Sequence, residues 1–262
     1  MATDPSSAAL RAIAVLEAVA GAPGAQTLSD LMAATGLAKP TAHRIAHLLE
    51  DAGLLVREPD GKRYAPGPRL SAMALQVLAG SHWNAPRHAI LQSLVQRLGE
   101  TCNLTMLDGA QVVYLDRVET QWPLRLSFQP GSRVPAHASA SGKLLLALLP
   151  ARERQRILER LPLQRFTAAT ITQAQALHEE LARIRKSRVG RDNEEYLDGT
   201  VCVAVPVEDG ALRVPAALAV HAPLPRMSLE QAMGHVPLLR EAAAQLAHTF
   251  FPGEPVSPGG PS

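Results

Sequence analysis

The sequence contains no apolar run approaching the roughly 20 residues that a bilayer-spanning helix needs. Residues 1–10 also lack the charged start and apolar stretch of a secretory signal. Both absences predict a cytoplasmic chain with no membrane partner. Cysteine is scarce. Cys102 and Cys202 are the only two, and neither has the nearby Cys or His partners of a zinc site, so both are expected to be reduced. Charge is scarce as well: the net formal charge is +2 over 262 residues, far from the basic excess that usually announces a nucleic-acid partner. Within residues 1–69, seven basic side chains (Arg11, Lys39, Arg44, Arg57, Lys62, Arg63, Arg69) meet seven acidic ones (Asp4, Glu17, Asp30, Glu50, Asp51, Glu58, Asp60). A nucleic-acid reading must therefore rest on the placement of charge.

Catalytic signatures are missing too. The serines before Lys143 suggest a hydrolase, but Ser139 lies four residues before it, whereas a Ser-x-x-Lys nucleophile needs three and that position is Ala140. There is no Gly-x-Ser-x-Gly elbow, His-Glu-x-x-His pair or phosphate-cradling glycine loop. His43 and His47 stand four apart and are read as lacking the third ligand of a metal site. The expectation is no catalytic residue, no cofactor and no metal.

What is present is a 47% apolar chain, enough for a sizeable core, whose length fits a small domain joined to a larger one. Residues 7–20 carry Leu10, Ile13, Ala14, Leu16 and Val19 at helical spacing and stop at Gly21-Ala22-Pro23-Gly24. Thr27 caps a second short helix that Gly36 ends, and Lys39-Pro40-Thr41 opens a third, running to Ala52. Two short runs, 54–57 and 62–65, then bracket Glu58-Pro59-Asp60-Gly61 as a hairpin. On the third helix, Ala42, Ile45, Ala46, Leu49 and Ala52 fall on one side, and Pro40, His43, Arg44 and His47 on the other.

Taken alone, that polar face suits a solvated helix as well as a reading head. Helix, glycine turn, helix and basic hairpin in succession favour a winged helix-turn-helix, in which short polar groups near the recognition helix start reach bases and phosphates. Thr27, Ser29, Lys39, Pro40, Thr41, His43, Arg44 and His47 are the candidates there, with Arg57, Lys62 and Arg63 on the wing. Residues 69–80 resume helical periodicity through Leu70, Met73, Ala74, Val77 and Leu78. That stripe is expected to pack on its own domain or on a twin subunit.

Beyond Pro86 the pattern becomes mixed. A helix through Leu91, Leu94, Val95 and Leu98 precedes strand-like stretches at 101–107, 111–119 and 124–128, which read as an antiparallel meander. Helices at 139–149, 151–161 and 173–187 follow, then strands at 201–208 and 215–222, and a closing helix at 228–250. The fold class is α+β. The proline- and glycine-rich residues 252–262 are expected to be disordered.

Several segments resemble the IclR family of transcriptional regulators: Ala8 to Glu17, Leu28 to Leu31, Thr35 to Arg44, Tyr64 to Leu70, Ala138 to Ala147, and Glu194 to Val207. The resemblance spans nearly the whole chain. It implies a winged helix-turn-helix at residues 1–66, a linker helix at 67–82, a GAF-like effector domain at 83–251 and a tail at 252–262. It also implies double-stranded operator DNA and a small organic or aromatic acid as partners, in a homodimer or homotetramer.

The effector candidates are His137, Ala138, Ser139, Ala140 and Ser141, with Asp192, Glu195, Cys202 and His221. Residues 135–142 offer small side chains, hydroxyls and amides before a helix, where a carboxylate is favoured. The same residues suit a plain capping loop. Cys202 shares a strand face with Ala204 and Pro206, fit to line a cavity or to be a buried small hydrophobe. Where family members that bind small hydroxy- or keto-acids tend to place serines in the late strand, this chain has Ala217, Ala219 and His221, which counts against such a ligand and leaves room for a larger or aromatic acid, although Ala219 suits core packing equally. A winged helix whose second domain serves only oligomerisation or protein interaction is the rival reading.

Overall fold

The computed structural model of the chain describes residues 7–22, 24–79, 81–122, 128–208, 214 and 216–250. It divides into two compact units, residues 1–78 and 79–262.

The first unit is a three-helix cluster with a small sheet. Helix α1 (Ala8–Ala20) starts at Ser7, whose hydroxyl accepts the Leu10 N–H at 3.2 Å, and buries Val15 and Val19. Strand β1 (Gln26–Thr27) leads into α2 (Leu28–Thr35) through a reciprocal cap: Asp30 N–H donates to Thr27 Oγ1, and Thr27 N–H to the Asp30 carboxylate. Helix α2 stops at Gly36, whose φ of 69° lies where a side chain is penalised. Helix α3 (Lys39–Asp51) follows, with Pro40 in the first turn, where its missing N–H costs nothing. Strands β2 (Leu55–Arg57) and β3 (Arg63–Pro66) close the unit in an antiparallel sheet of order β1-β3-β2, before α4 (Pro68–Ala79).

Ile45, Ala46 and Leu49 of α3 join Val15, Val19, Leu31, Leu55 and Tyr64 in one core. That burial fixes which side of α3 faces out. The two-residue strand β1 was not expected from the sequence, because Thr27 reads there only as a cap. Met73 and Val77 of α4 are exposed within this chain.

The second unit is built on one antiparallel sheet. In chain order its elements are α5 (Ser81–Leu98), β4 (Thr101–Asp108), β5 (Gln111–Val118), β6 (Arg133–Pro135), α6 (Ala140–Leu148), α7 (Ala151–Leu158), α8 (Ala174–Ser187), β7 (Gly190–Asn193), β8 (Thr200–Val207), β9 (Ala216–Pro223), α9 (Leu229–Gly234) and α10 (Val236–Phe250). The strand order is β6-β5-β4-β9-β8-β7. Leu144 and Leu145 of α6 and Leu177, Leu181 and Ile184 of α8 pack on the sheet face that carries Cys202, Ala204, Ala217 and Ala219. Alternation turns Val201, Val203 and Val205 to the other face, and α5 and α10 pack against each other and against the sheet.

The mixed α+β class expected from the sequence holds, with three differences in detail. The third meander strand read at 124–128 falls largely on residues outside those described, and β6 pairs with β5 instead. The closing helix is two helices, α9 and α10, broken at His235. Strand β7, only four residues of which Arg191, Asp192 and Asn193 are polar, carried no apolar run to reveal it. The tail at 252–262 also lies outside the described residues. Among the described residues, no helix is long and apolar enough to cross a membrane.

Close backbone contact sets the seat of α6. A Cβ at Gly142 would fall 2.3 Å from the Ala136 carbonyl oxygen, and one at Gly190 would fall 2.2 Å from that of Ala140. Gly142→Ala is therefore expected to lower stability by about 1–3 kcal/mol or more, the usual cost of overpacking. Gly234→Ala, with nothing within 4 Å of the added atom, should be neutral or slightly stabilising. Urea denaturation of the two variants checks the contrast.

Candidate functional site

Two places carry chemistry. The first is the outer side of α3 with the β2–β3 wing. Lys39, Pro40, His43, Arg44 and His47 are all exposed, while Thr41 is half-buried. Neither Lys39 nor Arg44 has an ion-pair or hydrogen-bond partner for its side chain among the described residues. His47 Nδ1 lies 3.2 Å from the Asp51 carboxylate one turn on. In α2, Ser29 is exposed, but the Thr27 hydroxyl is held by Asp30, to which it donates at 2.7 Å.

The three wing cations differ in kind. Arg57 donates two hydrogen bonds to the Glu50 carboxylate, at 2.8 and 3.1 Å, and others to Tyr64 Oη and the Gly61 carbonyl. Its guanidinium also lies 4.8 Å from the Tyr64 ring centre. Arg57 thus ties the wing to α3. Arg63 donates to Asp60 at 2.6 Å, and Asp60 in turn accepts the Lys62 and Arg63 N–H groups that shape the turn. The Lys62 ammonium is exposed and has no partner among the described residues.

The second place is a cavity in the larger unit, between the start of α6 and the inner sheet face. Its free volume is about 30 Å³. Of the sequence candidates, Ser139, Ala140, Ser141, Asp192, Cys202 and His221 line it. His137 and Ala138 do not. His137 is buried with Nε2 against the Gln164 carbonyl at 2.9 Å, and its ring lies 5.9 Å from that of Phe166. Glu195 does not line it either, because its carboxylate turns to Lys143.

The walls also contain residues the sequence reading missed. Asn103 and Thr105 come from β4, Val112 and Tyr114 from β5, and Phe128, Val134, Tyr196 and Thr200 complete the lining. One signal was available: Thr101, Asn103 and Thr105 alternate as polar residues along a buried strand, and such residues need partners. Thr105 Oγ1 donates to the Ala217 carbonyl, and Asn103 Oδ1 accepts from Arg117 at 2.6 Å. The Tyr114 and Phe128 rings stack with centres 5.3 Å apart.

At the helix end, Ser139 is the N-cap of α6. Its hydroxyl accepts the Gly142 N–H and donates to the Pro135 carbonyl. The Ala140 and Ser141 N–H groups are among the first of the helix and have no intrahelical acceptor. Ser141 is 5% exposed, and its hydroxyl has no hydrogen-bond partner among the described residues. This cluster of donors suits an anion.

Behind the cavity, Lys143 is fully buried and directs its ammonium at both oxygens of Glu195, with Glu180 of α8 at 3.9 Å. Glu180 is held in turn by Arg183 at 2.6 Å. The turn after β7 is fixed by Thr167 and Thr170, whose hydroxyls donate to the Glu194 and Glu195 carbonyls. It passes through Glu194 in the left-handed region, φ 62°. Burial pushes the Glu195 carboxyl up against the opposing pull of Lys143. Removing one partner of such a pair strands a buried charge. Lys143→Met is expected to lose about 3–5 kcal/mol, and adding Glu195→Leu should restore much of it; denaturant unfolding of the single and double variants measures both.

Burial also dominates Asp192 and His221 on the cavity wall. Asp192 is pushed up to about 7, chiefly by desolvation, although it accepts the Glu195 N–H at 2.7 Å. His221 is pushed down to about 4 by desolvation and by Arg117 and Arg226, and its Nε2 is buried without a hydrogen-bond partner among the described residues. Burial raises the Cys202 thiol as well, which keeps it an inert hydrophobe. Between the ordinary aspartate value of 3.8 and about 7, the unfolded chain has released a proton that folded Asp192 retains. The cost of ionising Asp192 in place therefore grows through that window and is complete above it. Asp192→Asn should match the wild type in stability near pH 4 and exceed it increasingly up to pH 8, as read from urea midpoints across pH.

Comparison with known proteins agrees with this geometry. The model of the IclR helix-turn-helix domain matches residues 8–59, and that of the bacterial transcriptional regulator IclR C-terminal domain matches residues 76–248. The chain is 50% identical over 250 residues to the "Probable transcriptional regulator SauR" of Cupriavidus necator, covering 95% of this chain and 99% of the relative. Among solved structures, the Thermotoga maritima IclR aligns with a TM-score of 0.61 at 29% identity, over 91% of this chain and 96% of that one. An IclR homolog from Microbacterium hydrocarbonoxydans complexed with 4-hydroxybenzoate aligns with a TM-score of 0.57 at 30% identity, over 93% and 98%. With both units matched by models of one family, the chain belongs to the IclR family of bacterial transcriptional regulators.

Proposed function

We propose that this regulator reads operator DNA with the outer face of α3 and holds a small organic acid in the cavity at the start of α6. The observation that carries the first half is the pair of cations Lys39 and Arg44, unpartnered among the described residues, on a helix whose inner face is locked in the core. Other cations nearby are bound within the protein, so these two and Lys62 are the charges available to phosphates and base edges. Thr41, His43 and His47 complete the α3 surface, with Ser29 at the start of α2. Arg57 acts by positioning the wing.

The second half is supported by the α6 donors and by the 4-hydroxybenzoate held by a related protein. Effector control requires that the acid bind two arrangements of the protein with different affinity. The acid is taken to be a nutrient whose catabolic genes the protein controls. Regulation through paired half-sites calls for a homodimer or homotetramer, and the exposed apolar side chains Leu10, Ile13, Met73 and Val77 of α1 and α4 are available to pair subunits.

Selection of bound sequences from a random DNA pool supplies the operator for the test. Arg44→Ala should weaken operator binding while leaving acid-induced thermal stabilisation unchanged. Lys62→Ala should weaken binding about equally for all sequences and lower the slope of log K against log salt by about 1. Unaltered operator affinity in Arg44→Ala defeats the α3 assignment. A thermal-shift screen of carboxylic acids that finds no stabilising member defeats the effector assignment.

A further inference from the structure

Two acids end α3, and they are used differently. Glu50 is taken by Arg57 of β2. Asp51 turns instead along its own helix to His47, whose Nδ1 lies 3.2 Å from its carboxylate. At about 100° per residue, Asp51 falls on the same outer strip as Pro40, Arg44 and His47. The two side chains are 60% and 63% exposed, so the pair stands in solvent until a partner covers it. A carboxylate can only accept, so Nδ1 carries the hydrogen of that contact and Nε2 is the ring nitrogen left for a partner.

Resting on the α3 reading above, we infer that His47 is a specificity-determining residue that meets DNA as a protonated ring and donates from Nε2 to guanine N7, with Asp51 as the positioning residue that holds the ring and balances its charge. A neutral ring with Nδ1–H engaged offers only a lone pair at Nε2. Guanine N7 and O6 and the phosphates are all acceptors and refuse it. A proton on Nε2 turns the same atom into a donor. The duplex favours that proton through its phosphates. Asp51 favours it too, because a lone carboxylate on the strip that faces DNA repels the duplex, whereas beside an imidazolium it is balanced.

The groups around the ring come from three sides. On its own helix, His43 and Arg44 stand one turn before it, and Glu50 and Asp51 follow. From the wing, Arg57 of β2 is bonded to Glu50 and to Tyr64 of β3. Helices α1 and α2 meet α3 on its inner side, through Val15, Val19 and Leu31. Arg44 opposes the proton and Asp51 favours it, and of the two it is Asp51 that is in contact. One solvent proton joins Nε2 as DNA binds, and no covalent bond forms or breaks. Lys39, Arg44 and Lys62 keep their charge throughout the neutral range, so proton uptake separates the contribution of His47 from theirs.

The test uses the full chain and the selected operator, with fluorescence anisotropy at pH 6 and pH 8 and constant ionic strength. A ring protonated on binding gives affinity that is present below its free titration range and lost as pH rises through its bound one. Operator binding should therefore be about tenfold weaker at pH 8. His47→Ala should lose most of that dependence, while His43→Ala, whatever its overall affinity, should keep it. Asp51→Asn retains an acceptor without the charge and should move the fall in affinity to lower pH. Operators with 7-deazaguanine at one position at a time locate the contact. At one guanine of each half-site the wild type should lose about fivefold or more at pH 6, and His47→Ala should lose nothing further there. Affinity independent of pH, a dependence that survives His47→Ala, or an unmoved profile in Asp51→Asn overturns the inference. So does the absence of a guanine whose N7 is coupled to His47, which assigns the ring to a phosphate. In any of these cases, weakened operator binding by Arg44→Ala leaves the α3 reading intact.

Discussion

The buried contact between Lys143 and Glu195 is the constraint on which the larger unit depends. A fully buried ammonium is tolerable only where carboxylates meet it. Meeting it requires α6, the turn after β7 and α8 to hold fixed positions together, since Glu195 comes from the turn and Glu180 from α8. Glycines make that approach possible: Gly142 lies against the Ala136 backbone and Gly190 against the Ala140 carbonyl. Small residues on the sheet, Ala204, Ala217 and Ala219, leave room for α6 above them. Once α6 is seated in this way, its first N–H groups open on the cavity, and the same turn that supplies Glu195 supplies the N–H that holds Asp192.

The DNA-reading unit solves a different electrostatic problem. Its charges are balanced, so it has no long-range attraction of the kind a basic patch provides. Internal pairing sharpens this. Glu50 takes Arg57 and Asp60 takes Arg63, leaving Lys39, Arg44 and Lys62 on this surface without internal partners among the described residues. Few unpaired cations offer few phosphate contacts, and few such contacts give a shallow salt dependence and weak nonspecific binding.

Much of this was legible in the sequence, for reasons that differ by element. Helix α3 was readable because its apolar residues recur at helical spacing and Pro40 and Gly36 mark its surroundings. Its cations were readable as candidates only. Nothing in residue order says that Arg57 reaches back seven positions to Glu50 while Lys62 reaches nothing. In the larger unit, Ser139 and Ser141 were placed by the helix start and Cys202 by strand alternation. His137 sits in the same run of small residues as Ser139, yet lies under the segment containing Gln164. Glu195 stands three residues from Asp192, yet it faces the opposite way, toward Lys143. A pairing between positions 143 and 195 is a long-range fact, fixed by packing and invisible to local pattern.

The surroundings of the cavity are tightly held: the sheet is hydrogen-bonded through six strands, and α6 is pinned at Gly142, Gly190 and Lys143. A ligand that displaced the start of α6 would therefore act through Lys143 on the turn that carries Glu195, next to Asp192 of β7. Those two carboxyls already differ in state, one near half-protonation and one salt-bridged. An anion beside Asp192 changes the charge that Glu195 and Lys143 experience, so ligand charge and ligand volume act on the same set of contacts.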